Sequence, residues 1–91
     1  MALDDTGETP VAPARHPATV QLLSFFRYDH LSGDLRETSR LCAELAHDLV
    51  ERLPDGPELT AGLRKLLEAK DCFVRQALVV HLARLDERLG L

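Results

Sequence analysis

The stretch from Pro57 to Leu89 decides the fold, and its centre reads Leu66-Leu67-Glu68-Ala69-Lys70-Asp71. Wound at 3.6 residues per turn, the stretch carries one apolar stripe, which predicts a helix of about thirty residues with one buried side. Lys70 lies almost on the midline of this stripe, where a cation needs a carboxylate partner, a route to solvent, or a ligand. The stripe consists of Leu59, Leu63, Leu66, Leu67, Val74, Ala77, Leu78 and Leu85.

Two further helices are predicted before this one. The first runs from Pro17 to near Tyr28, and the second from about Ser32 to Leu53. The second has an apolar face made of Leu35, Cys42, Ala46, Leu49 and Leu53, with Thr38 and Leu45 at one margin and Val50 at the other. The turn Pro54-Asp55-Gly56-Pro57 separates the two long helices, and Asp55 and Glu58 have the spacing of a capping box. Because so short a connection makes long amphipathic helices pack antiparallel, we predict an all-α fold, an antiparallel helical hairpin with the short N-terminal helix laid across it.

Length and composition limit the function classes. Residues 1–15 have no apolar period and are expected to form a disordered or peripheral arm, whereas residues 16–91 form the single hairpin domain. So short a chain buries only ~60% of its unfolded surface, so we expect it to self-associate. The net charge of -4 argues against DNA or RNA as a partner, and no apolar run is long enough for a membrane span. Cys42 and Cys72 are expected to be free thiols of a cytoplasmic protein.

Cationic side chains are predicted to gather where the hairpin brings its helices side by side. Folding about Asp55 sets Lys70 level with Arg40, and Arg36 lies one turn further along the same helix face. Three cations this close predict a site for a phosphate-bearing ligand. The alternative is that neighbouring carboxylates neutralise them, and that Lys70 forms a structural ion pair with Asp71, with Glu68 or with another subunit.

Three of the four aromatic residues lie together in Phe25-Phe26-Arg27-Tyr28. Phe26 and Tyr28 are candidates for stacking on a nucleobase, whereas Phe25 is expected to cap the thin core. The sequence contains no Gly-rich phosphate loop, no His pair with metal-ligand spacing and no catalytic arrangement, so we expect neither enzyme activity nor a cofactor nor a metal.

Several segments occur in an order that resembles a known family. Leu35-Arg36-Glu37 opens the second helix, Ala43-Glu44-Leu45-Ala46 follows, and the Pro-rich turn leads into Ala61 to Ala69 and then Val74-Arg75-Gln76-Ala77. From about His16 to Ala77 the chain is similar to the helical hairpin domain of small phage anti-CBASS and anti-Thoeris proteins, the sponges that sequester cyclic nucleotide signals. It departs from them at Lys70-Asp71-Cys72, where family members often carry bulky apolar or aromatic residues.

The resemblance implies a cytoplasmic homo-oligomer, often a hexamer, that holds its ligand between subunits without cleaving it. The ligand would be a cyclic di- or trinucleotide or a molecule of the cyclic ADP-ribose type, and its capture would block bacterial anti-phage signalling. Phe26 and Tyr28 would stack on bases and His30 would meet a ribose or base edge; the phosphate contacts would be Arg36, Lys65, Lys70 and Arg75. The competing hypothesis is a small helical protein–protein interaction module without a small-molecule ligand.

Overall fold

The computed structural model describes residues 15–90, which form three helices, α1 (Pro17–Ser24), α2 (Gly33–Arg52) and α3 (Pro57–Leu89). Residues 15–90 contain no strand, so the all-α prediction is confirmed. None of the three helices is long and apolar enough to cross a membrane. The predicted N-terminal arm lies outside the described residues except for Arg15.

The helix bounds lie close to the predicted ones except at the end of α1. α1 begins at Pro17, and the Nδ1 atom of His16 accepts a hydrogen bond from the Ala18 N–H at 3.0 Å. It ends at Ser24, one turn before the predicted end near Tyr28. α2 follows Ser32 and opens with Gly33 at φ +61°, a left-handed conformation in which a side chain would be strained.

The core forms where all three helices meet. Leu22 of α1 and Phe26, just beyond α1, pack with Leu63 of α3. α2 contributes mainly small side chains, which allow its backbone to lie close to its neighbours; they are Cys42, Ala43 and Ala46, together with Val50. Leu59, Leu66 and Leu67 of α3 are half-buried against this cluster.

α1 changes which side chains of the long helices are buried. Ser39 and Ala43 are buried although they lie beside the predicted apolar face of α2. Leu53 on that face, Leu45 at its margin and Leu78 of α3 are exposed. The physical reason is that α1 covers one side of α2 and α3, so the buried faces turn towards α1 and part of each apolar stripe stays in solvent.

The connection between α2 and α3 is tied to the start of α1 through Asp55. Its carboxylate accepts hydrogen bonds from Arg15 Nε at 2.9 Å, from the His16 N–H at 2.9 Å and from Thr19 Oγ1 at 3.3 Å. Arg15 also donates to the carbonyl oxygens of Val50 and Leu53. The predicted capping box is wrong, because α3 has Gly56 at its N-cap without a side-chain cap.

Candidate functional site

The site is built on the connection between α1 and α2, residues 25–32. The two adjacent phenylalanines in it have opposite environments, since Phe26 is 1% exposed and Phe25 is 52% exposed. The expectation that Phe25 caps the core is therefore wrong, and the core position belongs to Phe26. A ring covered on both faces cannot stack on a base, so this burial does not suit the stacking role predicted for Phe26. Of these two phenylalanines, Phe25 is the one that faces solvent.

One cavity, which we call the connection cleft, lies between this connection and α3. It has a volume of about 550 Å³, within the range of small-molecule sites. Its basic side chains come from two elements, Arg27 and His30 from the connection and Lys70 from α3. It is lined by Ser24, Phe25, Arg27, His30, Leu31, Lys70 and Val74.

The cations of the connection cleft have carboxylate neighbours on their own segments. Arg27 donates to Asp29 through Nε at 3.2 Å and Nη2 at 2.9 Å, and this bonding raises the pKa of Arg27 and lowers that of Asp29. Lys70 Nζ lies 3.3 Å from Asp71 Oδ1, and its side chain is only 14% exposed. Asp71 is itself half exposed, so this pair holds the ammonium weakly. Lys70 thus forms the ion pair with Asp71 that the alternative prediction named, and it also lines the connection cleft.

A second cavity of about 250 Å³, the arginine pocket, adjoins the connection cleft because Arg27 lines both. In it the Arg36 guanidinium lies over the Tyr28 ring, 5.2 Å from its centroid, a cation–π contact worth about 0.5–2 kcal/mol. The Nε atom of Arg36 is buried and has no hydrogen-bond partner among the described residues. The lining is Leu23, Phe26, Arg27, Tyr28, Asp29, Arg36, Ala43 and His47.

The structure divides the predicted cation cluster. Lys70 lines the connection cleft, Arg36 lines the arginine pocket, and Arg40 bonds to Glu37 at 2.8 Å and to Glu44 at 2.7 Å on the surface of α2. Two carboxylates thus satisfy Arg40 and raise its pKa. For Arg40, the alternative prediction that neighbouring carboxylates neutralise the cation is therefore confirmed.

The remaining two predicted phosphate contacts lie elsewhere on α3. Lys65 and Arg75 are exposed, and neither lines the connection cleft or the arginine pocket. Each is five positions from Lys70, which turns it about 140° around the helix. Arg75 donates to Cys72 Sγ at 3.4 Å.

Sequence reasoning did not assign Arg27 to the site, although Arg27 joins its two cavities. The available signal was its position inside the aromatic run Phe25-Phe26-Arg27-Tyr28, because a cation beside aromatic rings favours a ligand that is both flat and anionic. The exposure of Phe25 had no sequence signal, because it depends on where α1 ends.

Neither a metal centre nor a relative adds to this description. Residues 15–90 contain no group of three or more His, Cys, Asp or Glu side chains that could hold a metal ion. Comparison of the chain with protein-family models, with curated proteins and with solved structures finds no match.

Proposed function

We propose that the protein binds and sequesters a cyclic nucleotide second messenger without cleaving it, and thereby blocks bacterial anti-phage signalling. The observation that carries the proposal is the connection cleft, in which Arg27 and His30 of the connection and Lys70 of α3 line one cavity together with the exposed Phe25. Cyclic di- and trinucleotides and cyclic ADP-ribose-type molecules combine flat bases with anionic phosphates. The cleft offers a partner for each of these parts.

The phosphate-binding group in this proposal is Lys70. Its side chain is largely withdrawn from water, so its charge is less screened than that of a surface lysine. The exposed Asp71 is displaced at small cost, because surface ion pairs contribute little. Arg27 adds forked donors to the same phosphate once it leaves Asp29.

The base-binding groups are Phe25 and Tyr28. Phe25 presents a free face at the cleft, and stacking of one base on an aromatic ring contributes about 1–3 kcal/mol. Tyr28 packs against the core and has Arg36 over its ring, so it stacks on a base only if Arg36 moves or continues the stack. His30, which is exposed and lines the cleft, meets a ribose hydroxyl or base edge.

The proposal includes an arrangement and a location. α2 and α3 form the predicted antiparallel hairpin, supported by the ion pair between Asp34 near the start of α2 and Arg84 near the end of α3. In this proposal another copy of the chain completes the connection cleft. The protein acts in the cytoplasm, where such messengers are made, and free Cys42 and Cys72 agree with a reducing compartment.

The test is a calorimetric titration of the full chain with a panel of cyclic dinucleotides, cyclic trinucleotides and cyclic ADP-ribose isomers. We expect at least one member to bind with a dissociation constant below micromolar. Heat-denaturing the complex and chromatographing the supernatant should recover that molecule chemically intact. Absence of heat with every member would refute the proposal, and recovery of a cleaved product would refute sequestration.

A protein–protein interaction module is the second candidate, and it is favoured by the exposed apolar side chains of α2 and α3, such as Leu41 and Phe73. In such a module Lys70 serves only as the partner of Asp71. The same titration separates the two functions, because a module of this kind binds none of the panel.

A further inference from the structure

α2 and α3 share a long apolar surface that no other part of the described chain covers. Its first groove has a volume of about 710 Å³, and its lining includes Leu41 and Leu45 of α2 and Phe73 and Val80 of α3. Its second groove, of about 410 Å³, is lined by Leu49, Leu53, Leu59 and Gly62 among others. Leu66 lines both grooves, so they form one continuous surface, which we call the bare face.

α1 does not contribute to the bare face. Neither groove has an α1 residue in its lining, whereas Leu22 of α1 packs in the core with Ala43, Ala46 and Val50 of α2. One side of the helix pair is thus covered by α1 and another is left in solvent.

We propose that the bare face is the interface with a second copy of this chain, the two copies being related by a two-fold axis. A two-fold interface joins one surface patch to itself, so the patch has to be self-complementary. Four helices, two from each copy, then enclose the apolar side chains in the manner of a four-helix bundle. This inference does not rest on nucleotide binding.

The area of the bare face is sufficient for such a dimer. α2 has 20 residues. It therefore extends about 30 Å, and two helices about 10 Å apart present a strip about 20 Å wide. The face is thus about 600 Å² on each copy, and its pairing buries about 1,200 Å² in total, at the lower end of the range for specific interfaces.

The charges at the ends of the bare face also favour self-pairing. Its middle carries only uncharged side chains, whereas Asp34 and Arg84 line one end and Asp55 and Glu58 line the other. The carboxylate of Asp55 is bonded to Arg15 within the chain, so in a two-fold arrangement with the helices antiparallel Arg84 of one copy approaches Glu58 of the other. A strongly charged peptide or a nucleic acid finds no complement along the middle of this face.

The test compares two leucines of nearly equal exposure. Leu45 lies on the bare face and is 48% exposed, and Leu82 lines neither groove and is 49% exposed. We expect sedimentation equilibrium of the full chain at micromolar concentration to give at least twice the 10.1 kDa mass of one chain. Leu45→Glu should reduce the mass to that of one chain, whereas Leu82→Glu should leave it unchanged, with helical circular dichroism retained by both variants.

Three outcomes would overturn the assignment. A wild-type chain that sediments as a monomer would mean that the bare face has another occupant or none. An assembly that survives Leu45→Glu, or one that Leu82→Glu alone dissociates, would place the interface on a different surface. The titration that tests nucleotide binding reads ligand heat and not mass, and the connection cleft shares no lining residue with the bare face, so failure of the dimer and failure of nucleotide binding are distinguished.

Discussion

Replacing the two adjacent phenylalanines one at a time tests the fold around the site. Phe26 is 1% exposed, and truncating so buried an aromatic to alanine costs about 3–5 kcal/mol, because transfer free energy is lost and a cavity is left. A chain of 91 residues has a total stability of about 5–14 kcal/mol. Phe26→Ala should therefore remove a large part of it and lower the melting temperature by more than about 10 °C.

Phe25→Ala is the matched control, because the same atoms are removed from a side chain that is 52% exposed. We expect its free energy of unfolding to stay within about 0.5 kcal/mol of the wild type. The assay is urea unfolding followed by circular dichroism, with all three proteins at one concentration, since self-association makes stability depend on concentration. Equal losses for the two variants, or a larger loss for Phe25→Ala, would refute the assignment of Phe26 to the core.

Three more outcomes are expected. Ser39 and Thr19 are both fully buried, but only Thr19 has a hydrogen-bond partner among the described residues. Because a buried hydroxyl without a partner is destabilising, Ser39→Ala should raise the free energy of unfolding by about 1 kcal/mol in urea titrations. Thr19→Val removes a hydrogen bond and should lower the free energy of unfolding by a similar amount. A large loss of stability in Ser39→Ala would contradict this. Hydrogen bonding to Arg15 lowers the pKa of Asp55 in the folded protein. The stability that this contact adds is present above the pKa of the carboxyl group in the unfolded chain, and it is lost as the pH falls through the pKa of Asp55 in the folded protein. Asp55→Asn should therefore flatten the stability profile below about pH 4, and an unchanged acid profile would count against it. Phe25→Ala should also weaken binding of the cyclic nucleotide about 5–100-fold by calorimetry, and unchanged affinity would remove Phe25 from the site.

The existence of the helices could be read from the sequence because their signals are local. The apolar period of α3 and the Pro–Gly turn before it depend on neighbouring residues, and the predicted end of α2 at Leu53 lies beside the observed end at Arg52. The role of Asp55 could not be read in this way. Its partner Arg15 is 40 positions away in the chain, and a capping-box spacing gives no information about so distant a contact.

The candidate site was predictable in part. The aromatic run and Lys70 are each unusual for their position in the sequence; the run contributes side chains to both adjoining cavities, and Lys70 lines the connection cleft. Which phenylalanine faces solvent depends on α1 ending at Ser24, since a helix continued to Tyr28 turns both rings differently. Arg36, Arg40 and Lys70 were predicted to cluster because they lie at similar heights along the predicted hairpin. The height of a residue along the helix axis does not determine on which side of the helix its side chain projects.

The central claim, that the connection cleft binds a cyclic nucleotide through Lys70, is tested most directly by titrating Lys70→Gln and Lys65→Gln with the panel member that binds the wild type. Both substitutions remove one lysine charge from α3, but only Lys70 lines the cleft. Loss of a charged hydrogen bond costs about 1.5–3 kcal/mol, so Lys70→Gln should raise the dissociation constant about 10–100-fold and Lys65→Gln should leave it nearly unchanged. Wild-type affinity in Lys70→Gln, or an equal loss in both variants, would contradict the claim.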